Sequence, residues 1–507
     1  MMMFAPTSHR CNTMHAPMSQ RAAHRGSVVV VVVWAVAVAA VLVSATQIVT
    51  FRQAVVGRET LARVQARWAA RAGVEQMVAI MEFHLQNADP DDPMAVVRDM
   101  EEHATGTTAT GSWDIRHFLD GLEWAGPLDE GAKLNINVAT SVQLTNIPNM
   151  TPDVVDAIVD WRDADDNVQG LGAESDYYSN RSLGYKPRNG NFRSFAELEL
   201  VAGAWPLYVR GEDWNLNGRL DPNENDGNKS FPNDKPDGKL DGGWSKFLTA
   251  TSVQSPMSLS GEDKLPLKGA DPESLTKRLG IDAEQAKALA TYGNQPNAKP
   301  EALIATPLSQ LSAGGTGGSS GTGGTGGARG STGGKTGGST SGRGSTSAGG
   351  SSSAGGGSSG RSSSGRSSGG TGGTSAVADL TNAQLRAVLR ETTADDFTKP
   401  VPGRMNINTV PDSVLKEVLE IDPRLADAII ARRRAKPEGI TSLADLSDMS
   451  GINPTVLTQL ASQFDVTSSV YTVTSRGRAA TTGAEVEIEA VVDKSQLPAK
   501  IISYREQ

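Results

Sequence analysis

The segment SVVVVVVWAVAVAAVLVSATQIVTF, from Ser27 to Phe51, contains no charged side chain. A helix of 25 residues is about 37 Å long, which is enough to cross a hydrocarbon core of roughly 30 Å. Arg10, Arg21 and Arg25 precede the segment, and no acidic residue does. Because positively charged flanks stay in the cytoplasm, the sequence predicts one membrane span with a short cytoplasmic N-terminus and the remainder of the chain on the far side.

The junction in front of this segment reads His24-Arg25-Gly26-Ser27. A glycine directly before an unbroken apolar helix resembles the prepilin-type leader, which a peptidase removes by cutting after the glycine on the cytoplasmic face. We therefore predict a leader of residues 1–26, cleaved between Gly26 and Ser27. Most such proteins carry glutamate at the fifth mature position, whereas this chain has Val31. An uncleaved signal anchor is the alternative.

The helix is predicted to continue beyond the membrane over residues 52–86. Apolar residues recur there at intervals of three and four, the pattern of an amphipathic helix. They are Leu61, Val64, Trp68, Ala72, Val74, Met77, Val78 and Met81. No proline occurs between Ser27 and Gln86, so one helix of about sixty residues is the simplest interpretation. A separate helix hinged at Gly57 is the alternative.

An internal repeat organises the region that follows. KLNINVATSVQLTNIPNMTPDVVDAIVDWR (133–162) aligns without gaps to RMNINTVPDSVLKEVLEIDPRLADAIIARR (404–433), at a constant offset of 271 positions. Each copy reads as a short helix, a tight turn and a second helix, which begins with a proline at Pro152 or Pro423. The pattern predicts two helix-hairpin-helix, or SAM-like, units.

Units of this kind often bind DNA backbones through the amides of a Gly-x-Gly hairpin. Neither hairpin here contains glycine, and six aspartates between Asp153 and Asp166 would repel phosphate in the first copy. The second copy is more basic, with Arg432, Arg433 and Arg434 in a row. A net charge of -9 also argues against a basic surface over the whole chain. We expect a structural or protein-binding role, with DNA binding by the second copy as the alternative.

The first repeat carries an insertion that the second lacks, and within it residues 213–224 (DWNLNGRLDPNE) fit a calcium-binding loop. Oxygen-bearing side chains occupy loop positions one, three, five, nine and twelve, and the turn glycine occupies position six. The candidate ligands are Asp213, Asn215, Asn217, the Arg219 carbonyl, Asp221 and Glu224. These hard oxygen donors favour Ca²⁺ over Mg²⁺, and Pro222 makes a following helix doubtful.

A weaker second loop follows, with a turn glycine at Gly238. Its candidate positions are Asp234, Asp237, Lys239 and Asp241. A further acidic cluster is available to either ion and consists of Asp163, Asp165, Asp166, Glu174 and Asp176. No histidine lies in a nucleophile or metal-ligand motif, and the one cysteine, Cys11, lies in the leader. The sequence therefore indicates no catalytic site.

Strands are predicted on both sides of the repeats. Residues 112–118 and 122–124 precede them, and residues 470–475, 485–492 and 501–504 follow, with apolar and β-branched side chains. Residues 312–375 are nearly all Gly, Ser and Thr, which predicts a disordered linker. The predicted fold is α+β: a pilin-like long N-terminal helix packed on a small antiparallel sheet, with an inserted α-helical domain of two SAM-like repeats.

The predicted divisions follow from these features. They are the leader 1–26, the membrane half of the helix 27–51, its amphipathic half 52–86, early strands 110–132, the first repeat with its acidic insertion 133–310, the linker 312–375, the second repeat 376–466 and C-terminal strands 467–507.

Together the segments resemble the type II secretion protein K family, the largest of the minor pseudopilins. The resemblance rests on the HRG leader without the acidic fifth residue, LDEGAKLNIN, DWRDADD, YKPRNGNFRSFAELELV, the second NIN repeat and the terminal β-hairpin. The long Gly/Ser linker and the 26-residue leader depart from the family pattern.

The resemblance implies a non-enzymatic protein of the cell inner membrane, with its bulk in the periplasm. It implies leader removal by prepilin peptidase, a place at the pseudopilus tip beside other minor pseudopilins and the major pseudopilin, a role in starting assembly, and contact with secreted proteins. It also implies calcium in the helical domain and no nucleic acid. A membrane-anchored helix-hairpin-helix DNA receptor is the alternative, and a membrane-tethered hydrolase lacks a reactive triad or open metal site in the sequence.

Overall fold

The computed structural model describes residues 24–181, 184–313, 377–419 and 421–507, except for the side chains of residues 24–27 and 313. The chain forms two compact units. The first contains the residues up to Asp263 together with Asp396–Ile452 and Gln459–Gln507; the second contains Lys264–Asp395 and Asn453–Thr458. The predicted leader up to residue 23, and nearly all of the predicted linker, lie outside the described residues.

Helices and short strands alternate along the described chain. The helices are α1 His24–Gln86, α2 Ala95–Glu102, α3 Ser141–Thr145, α4 Pro152–Arg162, α5 Ser175–Asn180, α6 Pro206–Arg210, α7 Pro272–Leu279, α8 Ala283–Gly293, α9 Ala302–Ala305, α10 Leu308–Ala313, α11 Asn382–Glu391, α12 Pro423–Arg434 and α13 Pro454–Gln463. The strands are β1 Thr105–Thr107, β2 Gly111–Leu119, β3 Leu122–Ala125, β4 Leu128–Asp129, β5 Leu134–Asn135, β6 Leu248–Thr249, β7 Leu265–Pro266, β8 Thr392–Thr393, β9 Met405–Asn406, β10 Phe464–Asp465, β11 Val470–Ala479, β12 Glu485–Asp493 and β13 Lys500–Glu506.

The N-terminal helix α1 is continuous over 63 residues, so the chain has no hinge at Gly57. Residues 28–51 are exposed throughout. This part of α1 is long and apolar enough to cross a membrane. The second half of α1 packs on the sheet. The helix therefore has an exposed apolar first half and a second half that packs against the rest of the protein, as the sequence predicts.

The face of α1 that packs on the sheet differs from the predicted stripe in its first turns. Leu61, Val64 and Trp68 are 44–59% exposed, whereas the alanines between them, Ala62 and Ala66, are fully buried. The packing surface is built from small residues because the helix approaches β11 closely at this point. Further along, Val74, Met77 and Met81 are buried as predicted.

A seven-stranded antiparallel sheet carries the helix. Its central order is β1-β2-β11-β12-β13, with β3 beside β2 and β4 beside β11. Its core side chains pack against α1 and include Ile115, Val473, Ile488, Ala490 and Val492. Because β2 and β4 from the start of the chain pair with β11 from its end, everything between β4 and β11 is an insertion. This confirms the predicted α+β class and its pilin-like plan.

The two sequence repeats fold with the same local bonds. In the first, β5 pairs with β6 in parallel; in the second, β9 pairs with β10 in parallel. The guanidinium of Arg162 donates to two backbone carbonyls of its repeat, and that of Arg433 does the same. The acceptors are Ile136 and Ala139 for Arg162, and Ile407 and Val410 for Arg433. Donors and acceptors are each 271 positions apart, so the structure preserves the duplication.

The second unit differs from the predicted division of the chain. It joins residues that the sequence assigned to the first repeat with residues assigned to the second. Its apolar core comes from α7, α8 and α11 and includes Leu275, Leu279, Leu289 and Val388. Strands β7 and β8 pair in parallel. This unit escaped the sequence analysis because its two halves are separated by the Gly/Ser stretch.

The Gly/Ser stretch connects two segments of this same unit. On its two sides, Ser309 Oγ donates to Asp379 Oδ1 at 2.8 Å, and Gln285 Nε2 donates to the Ala378 carbonyl at 3.2 Å. The stretch is therefore an insertion within one folded unit, whereas the sequence placed it between two repeats.

Shortening this stretch is expected to leave the second unit folded. Replacing residues 314–376 by six Gly/Ser residues lowers the entropy cost of loop closure, by roughly 2 kcal/mol at most. Hydrogen exchange of α7, α8 and α11 in the full chain measures the result. We expect equal or slower exchange, and faster exchange of these helices would contradict the connection described here.

His117 on β2 gives the sheet a pH dependence. Burial lowers the pKa of His117 to about 4, although its Nδ1 lies 2.9 Å from the Gly126 carbonyl. The unfolded chain binds a proton near pH 6.5 and the folded chain does not, so stability falls as pH decreases from about 6.5 towards 4. Between pH 7 and 5 we expect a loss of about 2 kcal/mol from this group. Hydrogen exchange of β2 and β11 in wild type and His117→Gln measures it, and an equal pH dependence in both would refute it.

Candidate metal centre

Three carboxylates converge at the C-terminal end of α4. Asp160 lies in its last turn, Asp163 follows the helix directly, and Glu174 precedes α5. One oxygen from each carboxylate lies within 4.8 Å of the others. Asp160 and Glu174 are only 0% and 2% exposed. Three acids brought together and shielded from water repel one another, so the arrangement fits a cation with oxygen ligands.

Three buried oxygens of this cluster lack hydrogen-bond donors. Within the described residues, neither oxygen of Glu174 has a partner, nor does Oδ2 of Asp160. Burial, together with the charges of Asp160, Asp163 and Asp166, raises the pKa of Glu174 to about 7. A hard cation would supply the missing partners and lower this pKa again. The donor set therefore fits Ca²⁺, with Asp160, Asp163 and Glu174 as its protein ligands.

The backbone between α4 and α5 wraps closely around these carboxylates. The Gln169 amide donates to Asp160 Oδ1 at 3.0 Å. A Cβ atom at Gly172 would lie 2.1 Å from Asp160 Oδ2, so only glycine leaves that oxygen in place. The segment between α4 and α5 therefore holds the cluster in place together with the C-terminal end of α4.

Of the five acidic residues predicted for this cluster, the structure brings two into it, Asp163 and Glu174. Asp165, Asp166 and Asp176 are exposed, and Asp166 accepts a hydrogen bond from Ser175 Oγ at 2.8 Å. The sequence analysis missed Asp160. A signal was available, because Asp156, Asp160 and Asp163 recur at intervals of four and three, which places acids on one helical face.

The predicted loop 213–224 has the turn that its sequence requires. The two carboxylate oxygens of Asp213 accept hydrogen bonds from the amides of Asn217 and Gly218, both at 3.0 Å. Gly218 has φ +66, which favours glycine. The carboxylate of Glu224 accepts from the amides of Trp214 and Asp221, at 3.0 and 3.1 Å. Residues Pro222–Glu224 form one short 3-10 turn in place of a following helix.

The side chains of this loop are engaged with one another and with the sheet. Asp221 Oδ2 accepts from the amides of Asn215 and Asn217, both at 3.0 Å. The guanidinium of Arg219, whose carbonyl was the predicted donor, bonds to Asp114 at 3.0 Å. Burial raises the pKa of Asp213 to about 6 and that of Glu224 to about 7. The loop therefore contains buried carboxylates that a cation would stabilise.

The carboxylates of the weaker second loop bond to nearby backbone amides and do not converge on one point. Each of its three carboxylates accepts from nearby backbone amides: Asp234 from Asp226 and Gly227, Asp237 from Lys239, and Asp241 from Gly243. Asp237, Lys239 and Asp241 are exposed. Within the described residues these side chains do not form a group of converging carboxylates. A second calcium site in this loop stays a prediction.

The predicted cleavage site lies at the N-terminal end of α1. The backbone of Gly26 and Ser27 belongs to the first turn of that helix, and the side chain of Ser27 lies outside the described part of the chain. Residues 1–23 lie outside it entirely.

Comparison with known proteins gives a match over the region that contains the carboxylate cluster. A family model for type II secretion system (T2SS), protein K, matches residues 134–210. This region of the chain is therefore similar to type II secretion protein K. A helix-hairpin-helix motif model matches residues 403–465, so the predicted helix-hairpin-helix unit of the second repeat is confirmed. Asp160, Asp163 and Glu174 lie inside the protein K match, whereas loop 213–224 begins just after it.

The chain also resembles a solved structure at low similarity. One chain of "The Crystal Structure of the GspK-GspI-GspJ complex from enterotoxigenic Escherichia coli Type 2 Secretion System" is 11% identical, with a TM-score of 0.40. The match covers 89% of this chain and 99% of that chain. Comparison with curated proteins gave no match.

The match to the protein K family model supports the role of a minor pseudopilin of the type II secretion system. The apolar first half of α1 is consistent with an inner-membrane anchor.

Proposed function

We propose that this chain is a minor pseudopilin of a type II secretion system, which caps the tip of the pseudopilus and helps to start its assembly during protein export across the outer membrane. The observation that carries the proposal is an insertion between β4 and β11 of the sheet that packs on α1. The insertion contains residues 134–210, which match the protein K family model. A pilin-like stem suits entry into a filament from the membrane. A large insertion in the sheet suits a subunit that no further subunit follows.

The neutral residue at position 31 supports the same role. If the leader ends at Gly26, Val31 is the fifth mature residue, where most prepilin-type proteins carry glutamate. In a filament that carboxylate would pair with a neighbouring N-terminal amine. A terminal subunit has no neighbour beyond it and needs no such charge.

The partners in this proposal are other minor pseudopilins and the major pseudopilin, together with prepilin peptidase and secreted proteins. The match of residues 134–210 to the protein K family model supports association with other minor pseudopilins. The N-terminus would lie in the cytoplasm and the two units in the periplasm. The role requires no enzymatic activity.

Immunogold labelling of pseudopili tests the capping role. An epitope placed within residues 314–376 leaves both flanking segments in their unit, so the tagged chain is expected to support secretion. We predict one label at one end of each pseudopilus, and few pseudopili in cells that lack the chain. Labels spaced along the filament, or normal filament numbers without the chain, would refute the proposal.

We propose calcium as a structural ion. The first site is Asp160, Asp163 and Glu174, and the second is loop 213–224, with Asp213 and Glu224 as its buried carboxylates. A bound cation neutralises buried negative charge and cross-links segments that share little apolar core. The chain's own residues supply the oxygen ligands and the surrounding backbone amides.

The DNA-receptor alternative receives little support from the second repeat. Arg433 is committed to backbone carbonyls of its own repeat. Arg432 and Arg434 pair with Asp448 and Asp412, at 3.4 and 2.8 Å. Measuring the affinity of the full chain for duplex DNA at 50 and 200 mM salt distinguishes a DNA receptor from a minor pseudopilin. We expect none, and tight salt-dependent binding would favour the receptor.

A further inference from the structure

The loop 213–224 is fastened to the face of the sheet opposite α1. Side chains alternate along β11, so Val473 and Ser475 face α1 while Thr474 and Arg476 face away from it. Thr474 Oγ1 donates to the Asn217 carbonyl at 3.0 Å. The Phe118 amide donates to the Gly218 carbonyl at 2.7 Å. The loop therefore touches β2 and β11 through its own backbone.

Side chains of the sheet complete the attachment. Asn217 Nδ2 donates to Glu487 Oε1 on β12 at 2.7 Å. Arg476 on β11 donates to Asp221 Oδ1 at 2.6 Å and to Glu487 Oε2 at 2.8 Å. Asn217 and Glu487 are buried, at 3% and 8% exposure. One guanidinium thus links the loop to a neighbouring strand in a largely buried network, where such bonds are stronger than at the surface.

Asp221 has no carboxylate oxygen without a donor. Its Oδ1 accepts from Arg476, and its Oδ2 accepts from the side-chain amides of both Asn215 and Asn217. The sequence pattern assigns Asp221 as an ion ligand at loop position nine, a position that often contacts calcium only through water. In the structure it instead fixes the amide groups at positions three and five.

We infer that Asp221 is a positioning residue of the loop, held by Arg476, and that ion binding by the loop depends on its attachment to the sheet. This inference rests on the proposed binding of calcium by the loop. Arg476 lies 255 positions from Asp221, so the ion site is completed only when β11 has joined the sheet. Removing residues that orient metal ligands weakens metal binding by roughly 10-fold or more.

Calorimetric titration of the full chain in detergent with CaCl₂ tests the inference. All variants carry Glu174→Gln, which removes calcium binding by the acidic cluster. The heat of calcium binding that is lost on adding Asp213→Asn is then the part due to loop 213–224. We expect Arg476→Gln and Asp221→Asn each to weaken that signal roughly 10-fold. The double variant should be no weaker than either one, since both act through one link. Arg478→Gln is the matched control, because Arg478 is on the same strand, exposed, and 3.8 Å from Glu485.

The competing interpretation predicts the opposite sign. If Asp221 were a ligand and Arg476 a cation that competes for it, Arg476→Gln would tighten calcium binding. Tighter or unchanged binding in Arg476→Gln, or additive losses in the double variant, overturns the inference and leaves the calcium proposal standing. A background chain that shows no calcium signal sensitive to Asp213→Asn overturns both. Hydrogen exchange of residues 213–221 without calcium should be faster in Arg476→Gln than in Arg478→Gln, and equal exchange overturns the attachment itself.

Discussion

Replacing Gly477 by alanine is expected to detach α1 from the sheet. A Cβ atom at position 477 would lie 2.0 Å from the Ala66 carbonyl oxygen and 2.3 Å from the Ala70 amide nitrogen. Both are backbone atoms of the helix, so no side-chain rotation relieves the clash, and helix and strand must move apart. Overpacking of this kind costs about 1–3 kcal/mol or more, and here it acts along the whole buried face of α1.

Hydrogen exchange of residues 62–81 in the full chain measures this effect. Gly57→Ala is the matched control, because the same methyl group added at Gly57 meets no atom within 4 Å. That control is expected to be neutral or stabilising by up to about 1 kcal/mol. Equal protection of α1 in Gly477→Ala and wild type would show that the helix does not approach β11 as described.

Replacing Glu174 by glutamine is expected to remove most of the stabilisation that calcium gives to the first repeat. For an ion present at about 100 times its dissociation constant, that stabilisation is about 3 kcal/mol. In EGTA at pH 8 the variant should be more stable than wild type, because it removes a buried carboxylate whose oxygens have no donor among the described residues. Asp176→Asn, which changes an exposed acid two positions away, serves as the control and should behave as wild type.

The sign of the pH dependence follows from the raised pKa of Glu174. Its folded value, about 7 without an ion, lies above its ordinary value of 4.5. The ion-free folded state therefore holds the proton more tightly, and its stability falls by up to roughly 3 kcal/mol as pH rises from about 4.5 to above 7. The benefit of calcium should grow over the same window. Thermal unfolding of wild type, Glu174→Gln and Asp176→Asn at pH 5, 6.5 and 8, with CaCl₂ or EGTA, measures these effects. A stabilisation by calcium that is as large in Glu174→Gln as in wild type would contradict the assignment, whereas a smaller one is expected from loop 213–224.

The sequence predicted the parts of the fold that depend on local pattern. The uncharged run before Phe51 and the absence of proline up to Gln86 were enough for one long helix. The repeat at an offset of 271 was enough for two similar units, because identical side chains make identical bonds at Arg162 and Arg433. Alternating apolar residues were enough for most of the sheet strands.

Features that depend on contacts between distant segments were not accessible in this way. The exposed side of α1 at Leu61 and Trp68 follows from the close approach at Gly477, more than 400 positions away, and helical spacing alone favours the larger apolar residues. The second unit combines segments on either side of the Gly/Ser stretch. Two of the three carboxylates in the cluster were predicted, since Asp163 and Glu174 belong to an evident acidic segment, whereas Asp160 lies within an amphipathic helix.

The N-terminal sequence of the mature protein tests the central claim most directly, that this chain is a processed pseudopilin subunit. Membranes from cells with and without prepilin peptidase provide the comparison. In cells with the peptidase we predict a chain that begins at Ser27, and in cells without it a chain that retains Gly26 and the residues before it. A chain that retains its leader in both cells would contradict the assignment.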